Sequence, residues 1–318
     1  MAKVYIDGKA VALTAGQSVL NALLGAGYRI PYSCQSGVCQ SCLMHCERGE
    51  LPAQATAGLS ASQREKKLFL SCSCFPDSDV SVTPYAVKEE LLIAEVMAKR
   101  HLSPRVLELQ LHCPLSYHAG QYINVWRDQT IARTYSIASI PSDPVLSLHI
   151  EVRAGGQFSA WADQQLAPGD RVNIQGPMGD CTYQAEPDQS LLLAGTGTGI
   201  APLYGIAREA LARAHTGPIH IVYCAREPEG LYWQQALTRL ARHHSNVHLQ
   251  CLVAKGGDSA LWREANAYQT VRADYTPLNN YQIYLCGAPS FVAKMRKQCF
   301  LAGARPRSVF CDAFEPSR

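Results

Sequence analysis

The N-terminal part of the chain contains two hydrophobic periods, first that of β-strands and then that of a helix. Over residues 3–14 apolar and polar side chains alternate on both sides of Asp7 and Gly8, which predicts a β-hairpin with a tight turn. Residues 17–26 place apolar side chains at helical spacing, so a short helix is expected there. Three further short strands are predicted: residues 43–46, 68–74 and 80–82. The stretch between the first two of these strands is expected to be irregular.

From residue 91 onward the pattern becomes a succession of strands separated by turns rich in Pro, Gly, Ser and Asp. The predicted strands are residues 91–99, 106–112, 122–126, 133–138 and 146–152. Short strands at this spacing predict an antiparallel β-barrel or sandwich. Two later stretches, 168–170 and 176–179, have the composition of plain turns.

The last part of the chain alternates strands with helices. Residues 190–194 are a continuous apolar run, as expected for a strand buried on both faces of a parallel sheet. The later predicted elements are a strand at 219–225, a helix at 231–243 and strands at 247–253, 281–285 and 310–314. This order predicts a Rossmann-like α/β unit.

The three patterns predict a multidomain α+β and α/β protein with domains at residues 1–88, 89–186 and 187–318, and a linker at 85–90. The chain has 318 residues, of which 47% are hydrophobic and 17% charged, as in ordinary soluble proteins. Its net charge of +3 is too small to argue for nucleic acid or an anionic membrane. With no signal peptide, no membrane-length apolar run and 13 cysteines, the sequence predicts reduced thiols and a cytoplasmic location.

Three cysteines lie close together, and a fourth follows at a distance. Cys34, Cys39 and Cys42 have C-x4-C-x2-C spacing, and Cys72 lies on the returning segment. This is the spacing of plant-type [2Fe–2S] ferredoxins. A tetrahedral zinc site is the main alternative, although structural zinc sites usually have two C-x2-C pairs. Buried thiols without a ligand are the other alternative.

Cys46 and Cys74 compete with Cys72 for the place of the fourth ligand. On a strand, Cys72 and Cys74 would face the same side, so periodicity does not separate them. Residues 1–85 resemble the β-grasp domain of plant-type ferredoxins. The family spacing implies that the first three cysteines and Cys72 hold the cluster, while Cys46 and Cys74 do not.

Two motifs in the middle part suggest a flavin. Arg133-Thr134-Tyr135-Ser136 places a cation, an aromatic ring and a hydroxyl along one strand, and a glycine turn ending at Ser159 precedes a helix, where amides can bind a diphosphate. In this order R-x-Y-S and G-x-x-S resemble the flavin domain of the ferredoxin–NADP reductase superfamily. The resemblance implies that Tyr135 packs on the isoalloxazine ring and Ser136 hydrogen-bonds near its N5. It also implies that Arg133, Gly156 and Ser159 bind the diphosphate.

A glycine-rich turn follows the first strand of the last part. It reads G-T-G-T-G with Ile200 next, so it is not G-x-G-x-x-G, and a tight turn without a ligand is the alternative. G-T-G-T-G-I-A-P resembles the pyridine-nucleotide motif of the same superfamily. The residues that it implicates are Gly195, Thr196, Gly197, Thr198, Gly199 and Pro202.

A second match in this part is Cys286-Gly287-Ala288-Pro289, at the carboxyl edge of a predicted strand. A buried structural cysteine is the alternative. The C-G-x-P match implies that the Cys286 thiol lies beside the nicotinamide, with Gly287 and Pro289 in the same binding site.

Two further details concern nucleotide choice and the C-terminus. Glu227 and Glu229 can accept hydrogen bonds from a ribose diol, which predicts NADH over NADPH, although Arg226 argues the other way. Asp312 and Phe314 keep the spacing of the acid and the flavin-covering aromatic residue with which plant members of the superfamily end. Four residues follow Phe314, and core packing is its alternative role.

All three domains therefore resemble, in order, the NADH-dependent reductase components of bacterial multicomponent oxygenases with an N-terminal ferredoxin. The resemblance implies that electrons pass from NADH to FAD, to a [2Fe–2S] cluster and then to a terminal oxygenase or another one-electron acceptor protein. A related class with its ferredoxin last carries FMN, so the domain order favours FAD. Ser136, Cys286 and Asp312 are the expected catalytic residues, in the limited sense that they position the reactants.

Two other functions stay open at this point. One is a stand-alone flavin or ferric reductase that uses small acceptors, and the other is a redox-sensing iron–sulfur flavoprotein. The sequence contains no helix-turn-helix or basic arm, so nucleic acid is not an expected partner. We also expect no membrane partner and a monomer.

Overall fold

The computed structural model describes residues 2–85 and 91–315, and each part of the chain forms its own β-sheet. The first sheet has five strands, the second has six antiparallel strands and the third has six parallel strands. We call the parts of the chain built on these sheets the N-terminal, middle and C-terminal units. The predicted combination of α+β and α/β folds is confirmed. The predicted boundary after residue 88 and most of the linker lie outside the described residues.

The N-terminal unit packs one helix against its sheet. Its elements are β1 (Lys3–Ile6), β2 (Lys9–Ala12), α1 (Val19–Gly25), β3 (Leu43–Arg48), α2 (Ala61–Glu65), β4 (Leu68–Leu70) and β5 (Val80–Pro84). The strand order is β2-β1-β5-β3-β4. The hairpin and α1 occur where they are predicted, and the Ser18 hydroxyl caps α1 by accepting a hydrogen bond from the Asn21 amide. Helix α2 lies in the stretch that is expected to be irregular. It has no hydrophobic period and buries none of its residues, so the sequence pattern does not predict it.

The middle unit is an antiparallel sheet that curls toward closure. Its elements are β6 (Leu92–Ser103), β7 (Val106–His112), β8 (Tyr122–Trp126), β9 (Ala132–Ser136), β10 (Leu146–Glu151), α3 (Ser159–Gln164) and β11 (Arg171–Met178). The order is β10-β7-β6-β11-β8-β9, and a bridge between Ile137 and Leu148 joins its two edges. The prediction of a plain turn at 176–179 is wrong, because β11 continues past a bulge to pair Met178 with Tyr122.

The C-terminal unit is a parallel sheet with helices on both faces. Its elements are β12 (Leu191–Thr196), α4 (Ile200–Ala212), β13 (Ile219–Ala225), α5 (Gln234–His243), β14 (Val247–Val253), β15 (Arg263–Glu264), α6 (Ala267–Tyr275), β16 (Gln282–Gly287), α7 (Pro289–Leu301) and β17 (Val309–Ala313). The order is β15-β14-β13-β12-β16-β17. Helices α4 and α5 cover one face, and α6 and α7 cover the other. The sequence patterns do not predict α6 or α7, because the apolar residues of these helices are mixed with exposed charged residues.

Ionic and hydrogen-bonded contacts join the middle and C-terminal units. The two terminal guanidinium nitrogens of Arg208 on α4 donate to the Asp143 carboxylate, at 2.7 and 2.8 Å, in a partly buried pair. The next residue is the buried Glu209, whose carboxylate accepts a hydrogen bond from the Ala119 amide at 2.6 Å. A bidentate pair and a charge-assisted hydrogen bond fix orientation as well as distance. Helix α4 therefore holds a set position against the middle unit.

Candidate functional site

A cavity of about 670 Å³ lies where the three units meet. We call it the central cavity. The N-terminal unit contributes residues 32–34, 36, 38 and 39; the middle unit 120, 122, 133–136, 149, 151, 153 and 155–159; the connection to the last sheet 179–181; and the C-terminal unit 198, 201, 202 and 311–315. Residues from all three predicted domains therefore face one shared space.

The structure brings the four predicted cluster cysteines together as two pairs. In the first pair the Cys39 amide donates to the Cys34 sulfur at 3.3 Å, and the Cys34 amide donates to the Cys39 sulfur at 3.4 Å. The Ser36 amide adds a third donor to the Cys34 sulfur. Hydrogen bonding from the Cys39 thiol, supported by these amides, lowers the pKa of Cys34 to about 4.

The second pair is Cys42 and Cys72. A hydrogen bond from the Cys42 thiol lowers the pKa of Cys72 to about 7, and the Gly37 amide contributes to the same shift. Two pairs of thiols fit a [2Fe–2S] cluster, in which each iron takes two cysteines. A zinc site would gather its ligands about one ion. In residues 2–85 and 91–315, no three His, Cys, Asp or Glu side chains converge in that way.

The two competing cysteines lie elsewhere. Strand β4 ends at Leu70, so the prediction of a strand through residue 74 is wrong. A 3-10 turn at Ser71–Ser73 follows the strand, and Cys72 and Cys74 therefore do not face the same side. Cys74 is fully buried in the N-terminal core, where burial raises its pKa to about 12. The Cys46 thiol instead donates to the carbonyl oxygen of Arg48.

The middle unit supplies the cationic and aromatic wall of the central cavity. Arg133, Tyr135 and Ser136 all reach it from β9, as does Ser159 from the start of α3. The Ser159 hydroxyl accepts a hydrogen bond from the Arg153 amide at 3.1 Å, and a Cβ at Gly156 would lie 2.5 Å from that hydroxyl. A side chain at 156 would therefore displace the Ser159 hydroxyl. The volume, the aromatic face and two guanidinium groups fit a flavin nucleotide with a diphosphate.

The C-terminal strand closes the cavity. The Ser136 hydroxyl donates to the Asp312 carboxylate at 2.6 Å, across 176 residues of sequence. Burial raises the pKa of Asp312 to about 6, and the hydrogen bond from Ser136 opposes part of that rise. Phe314 also lines the cavity, and its amide donates to the Gly287 carbonyl oxygen at 2.8 Å.

Only part of the predicted nucleotide motif faces the cavity. Thr198 and Pro202 line it, whereas Gly199 packs on the end of β16 so closely that a Cβ would lie 2.5 Å from the Cys286 carbonyl group. Gly195 also lies against the Cys286 carbonyl oxygen, and Gly197 has a φ of +55° in open space. The Thr196 hydroxyl accepts a hydrogen bond from the Ala288 amide. Most of these glycines are therefore explained by backbone packing and conformation.

Cys286 lies behind the cavity wall. It is fully buried, and its thiol is hydrogen-bonded to the thiol of Cys181, which does line the cavity. Gly287 and Pro289 link β16 to α7 beside it. Arg226 is exposed at the end of β13, outside the cavity lining.

Sequence reasoning missed three residues at this site. His149 and Cys181 line the cavity, and the His149 ring nitrogen Nδ1 is 2.7 Å from the Tyr232 hydroxyl of the C-terminal unit. Asn124 contacts the backbone of the cysteine loop from β8. None of the three lies in a sequence motif. Each is recognised only by its contact with a distant part of the chain, which the sequence does not show.

Three protein-family models match separate parts of the chain. A 2Fe-2S iron-sulfur cluster binding domain matches residues 4–77, an oxidoreductase FAD-binding domain matches 94–183 and an oxidoreductase NAD-binding domain matches 193–297. Their order is that of the three sheets.

Matches to individual proteins extend over nearly the whole chain. A Ralstonia reductase component of naphthalene 1,2-dioxygenase/salicylate 5-hydroxylase systems is 30% identical over 312 residues, covering 95% of this chain and 94% of its own. The reductase subunit of an aromatic O-demethylase from Amycolatopsis is 30% identical over 332 residues, covering 99% and 98%. The crystal structure of an Amycolatopsis cytochrome P450 reductase superposes with a TM-score of 0.68 at 28% identity, covering 99% of both chains.

Proposed function

We infer the function from the family: this chain belongs to the ferredoxin–NAD(P)+ reductase components of oxygenase systems. It is an oxidoreductase with a [2Fe–2S] cluster, FAD and NADH as its redox groups, and it transfers electrons to a partner oxygenase. The predicted family, enzyme class and cofactors are confirmed. The roles of individual residues, the domain bounds and the identity of the acceptor are the subject of the proposal that follows.

The chemistry itself belongs to the cofactors: a flavin takes two electrons from a nicotinamide as a hydride and gives them singly to an iron–sulfur cluster. The protein's contribution is to hold these groups in order. We assign the cluster to Cys34, Cys39, Cys42 and Cys72. Tyr135 and Phe314 form the aromatic walls of the flavin site.

Charged and polar residues complete the flavin site. Arg133, with Gly156 and Ser159 in the facing turn, binds the diphosphate. Arg153, which pairs with the Glu151 carboxylate at 2.8 Å, lies on the same wall. Ser136 and Asp312 hold a proton between them where the middle and C-terminal units meet. The glycine turn 195–199 and the start of α7 position the nicotinamide nucleotide, and Cys286 supports that site from behind Cys181.

One observation carries this assignment: Cys34 and Cys39 line the same cavity as Tyr135 and Ser136. Two cluster ligands and the proposed flavin-binding residues therefore share one space, with no layer of protein between them. Successive electron transfers require the redox groups to lie close together, and holding them there is the protein's main contribution.

The acceptor and the assembly state complete the proposal. We propose a monomer that reduces an oxygenase or its ferredoxin, in the cytoplasm, without nucleic acid or membrane partners. The names of the relatives support an oxygenase system. Among residues 2–85 and 91–315, no helix is both long and apolar enough to cross a bilayer.

A matched pair of cysteine variants tests the electron route. Cys72→Ser removes one of the four paired thiols, and Cys74→Ser removes a thiol buried in the core. We expect Cys72→Ser to lose the visible iron–sulfur absorbance, to keep NADH:ferricyanide activity and to lower cytochrome c reduction by roughly tenfold or more. Cys74→Ser should keep all three. If Cys72→Ser reduces cytochrome c at the wild-type rate, electrons leave from the flavin and the chain is a stand-alone reductase.

A further inference from the structure

The loop that carries two cluster cysteines is held by the middle unit. Four hydrogen bonds from the middle unit reach it: Tyr122 Oη to the Val38 carbonyl oxygen at 3.2 Å, Asn124 Nδ2 to the Cys39 carbonyl oxygen at 2.7 Å, Arg133 to the Tyr32 carbonyl oxygen at 3.2 Å, and the Thr134 amide to Ser33 Oγ at 3.2 Å. The donors lie on β8 and β9. All four acceptors lie within residues 32–39, so this contact fixes the cysteine loop itself.

Asn124 makes the shortest of these hydrogen bonds and is fully buried. Its Nδ2 also donates to Gln175 Oε1 at 3.1 Å, and its Oδ1 accepts from the Thr134 hydroxyl at 2.7 Å. With both ends of the amide engaged, the side chain cannot rotate without breaking hydrogen bonds. The amide nitrogen is therefore held toward the Cys39 carbonyl oxygen.

We propose that Asn124 is a positioning residue for electron transfer, because its amide holds Cys39 and the cluster loop against the wall of the flavin site. This deepens the proposed function and rests on it. Asn124 on β8 is paired with Thr134 on β9, next to Tyr135. One pair of strands thus carries both the ring-contacting residue and the anchor of the cluster loop, so the two redox groups share a rigid support.

The burial of an amide at this place argues for a positional role. Burying a polar side chain costs free energy unless it is fully hydrogen-bonded, and a leucine would fill similar space without an amide to desolvate. What asparagine adds over leucine is a directed donor to one carbonyl group. That group belongs to a proposed cluster ligand.

Replacement by a residue of similar size tests the proposal. In Asn124→Leu we expect cytochrome c reduction to fall roughly tenfold, since a lost buried hydrogen bond frees the loop. NADH:ferricyanide activity should stay within about twofold of wild type, because Asn124 does not itself line the central cavity. Hydrogen–deuterium exchange should become faster in the peptide covering 32–42 and stay unchanged in the hairpin covering 3–12. Flavin and cluster absorbance are measured on the same samples.

A second variant separates position from packing. Asn124→Ala removes both the donor to the Cys39 carbonyl oxygen and the volume of the side chain, whereas Asn124→Leu removes the donor and keeps a side chain in the same space. If the hydrogen bond positions the loop, cytochrome c reduction falls and exchange in the peptide covering 32–42 becomes faster in both variants. If Asn124 only fills space, these losses appear in Asn124→Ala alone.

The outcomes decide the proposal. Wild-type loop exchange and wild-type cytochrome c reduction in Asn124→Leu would overturn it, as would losses that appear in Asn124→Ala and not in Asn124→Leu. Loss of both cofactors from both variants would also overturn it, because Asn124 would then be a residue of core packing. Failure of the proposed function itself looks different: cytochrome c reduction in otherwise wild-type protein would not depend on Cys72.

Discussion

Ser136 and Asp312 come from strands far apart in the sequence, and their 2.6 Å hydrogen bond lies on the wall of the central cavity. The pKa of Asp312, raised to about 6 by burial, means that this carboxyl changes protonation near neutral pH. Above about pH 6 the carboxylate accepts a hydrogen bond from the Ser136 hydroxyl. Below it, the carboxylic acid can donate to the Ser136 oxygen, which frees the serine hydroxyl to donate into the cavity.

This exchange predicts a pH-dependent rate of flavin reduction. A hydroxyl that donates toward a ring gaining electrons stabilises it, so the rate should rise as the pH falls through about 6. In Asp312→Asn the amide donates to Ser136 at every pH, and the step near pH 6 should disappear. Stopped-flow reduction by NADH from pH 5 to 8 measures both. A wild-type profile that is flat in this range would contradict the assignment.

Arg226, Glu227 and Glu229 decide nucleotide choice in our proposal. All three are exposed just after β13, and an acidic residue in such a position of a dinucleotide-binding unit can accept a hydrogen bond from the ribose. Two carboxylates disfavour a 2′-phosphate, so kcat/KM should be at least roughly tenfold higher for NADH than for NADPH. Replacing both glutamates by glutamine should narrow that ratio. Equal kcat/KM values for the two nucleotides in the wild type would remove the argument.

At the scale of elements, short irregular segments place the functional groups. The 3-10 turn at Ser71–Ser73 separates Cys72 from Cys74, and the turn after β12 packs on the end of β16. In that second turn a Cβ at Gly199 would lie 2.5 to 2.6 Å from three backbone atoms of Cys286 and Gly287. Backbone atoms at this distance cannot move aside independently, so the two elements are tightly coupled.

This contact predicts opposite effects for two glycine substitutions. Gly199→Ala forces β16 away from the turn and should destabilise the fold by about 1–3 kcal/mol, with a raised KM for NADH. Gly25→Ala, at the end of α1, meets open space and has no positive φ, so it should be neutral or stabilising by about 0.5–1 kcal/mol. Thermal unfolding of the holoproteins measures both. A lower Tm in Gly25→Ala than in Gly199→Ala would contradict this account.

At the scale of the whole molecule, the three units form one site. The Arg208–Asp143 pair and the Glu209–Ala119 hydrogen bond hold the middle and C-terminal units together, while the loop at 32–39 meets the middle unit through β8 and β9. Each unit alone supplies only part of the lining, so the central cavity forms only when the three units are packed together. Electron transfer between cofactors held by different units depends on the same contacts.

The sequence by itself determined the elements with a strong local period and the chemistry with a fixed spacing. The hairpin at 3–14 and the strands at 106–112 and 219–225 occur as predicted, because neighbours in the chain specify them. The four-cysteine spacing predicted an iron–sulfur cluster, and the match to a 2Fe-2S cluster binding domain confirms that cofactor. Residues without a period, such as those of α2, gave no signal.

Only the tertiary structure decided which distant residues meet. It separated Cys72 from Cys74 by a turn, put Cys181 between Cys286 and the cavity, and brought Asn124 to the Cys39 carbonyl oxygen. Each of these depends on contacts between segments tens to hundreds of residues apart. Such contacts form when the sheets pack against one another, and no local pattern along the chain specifies that packing.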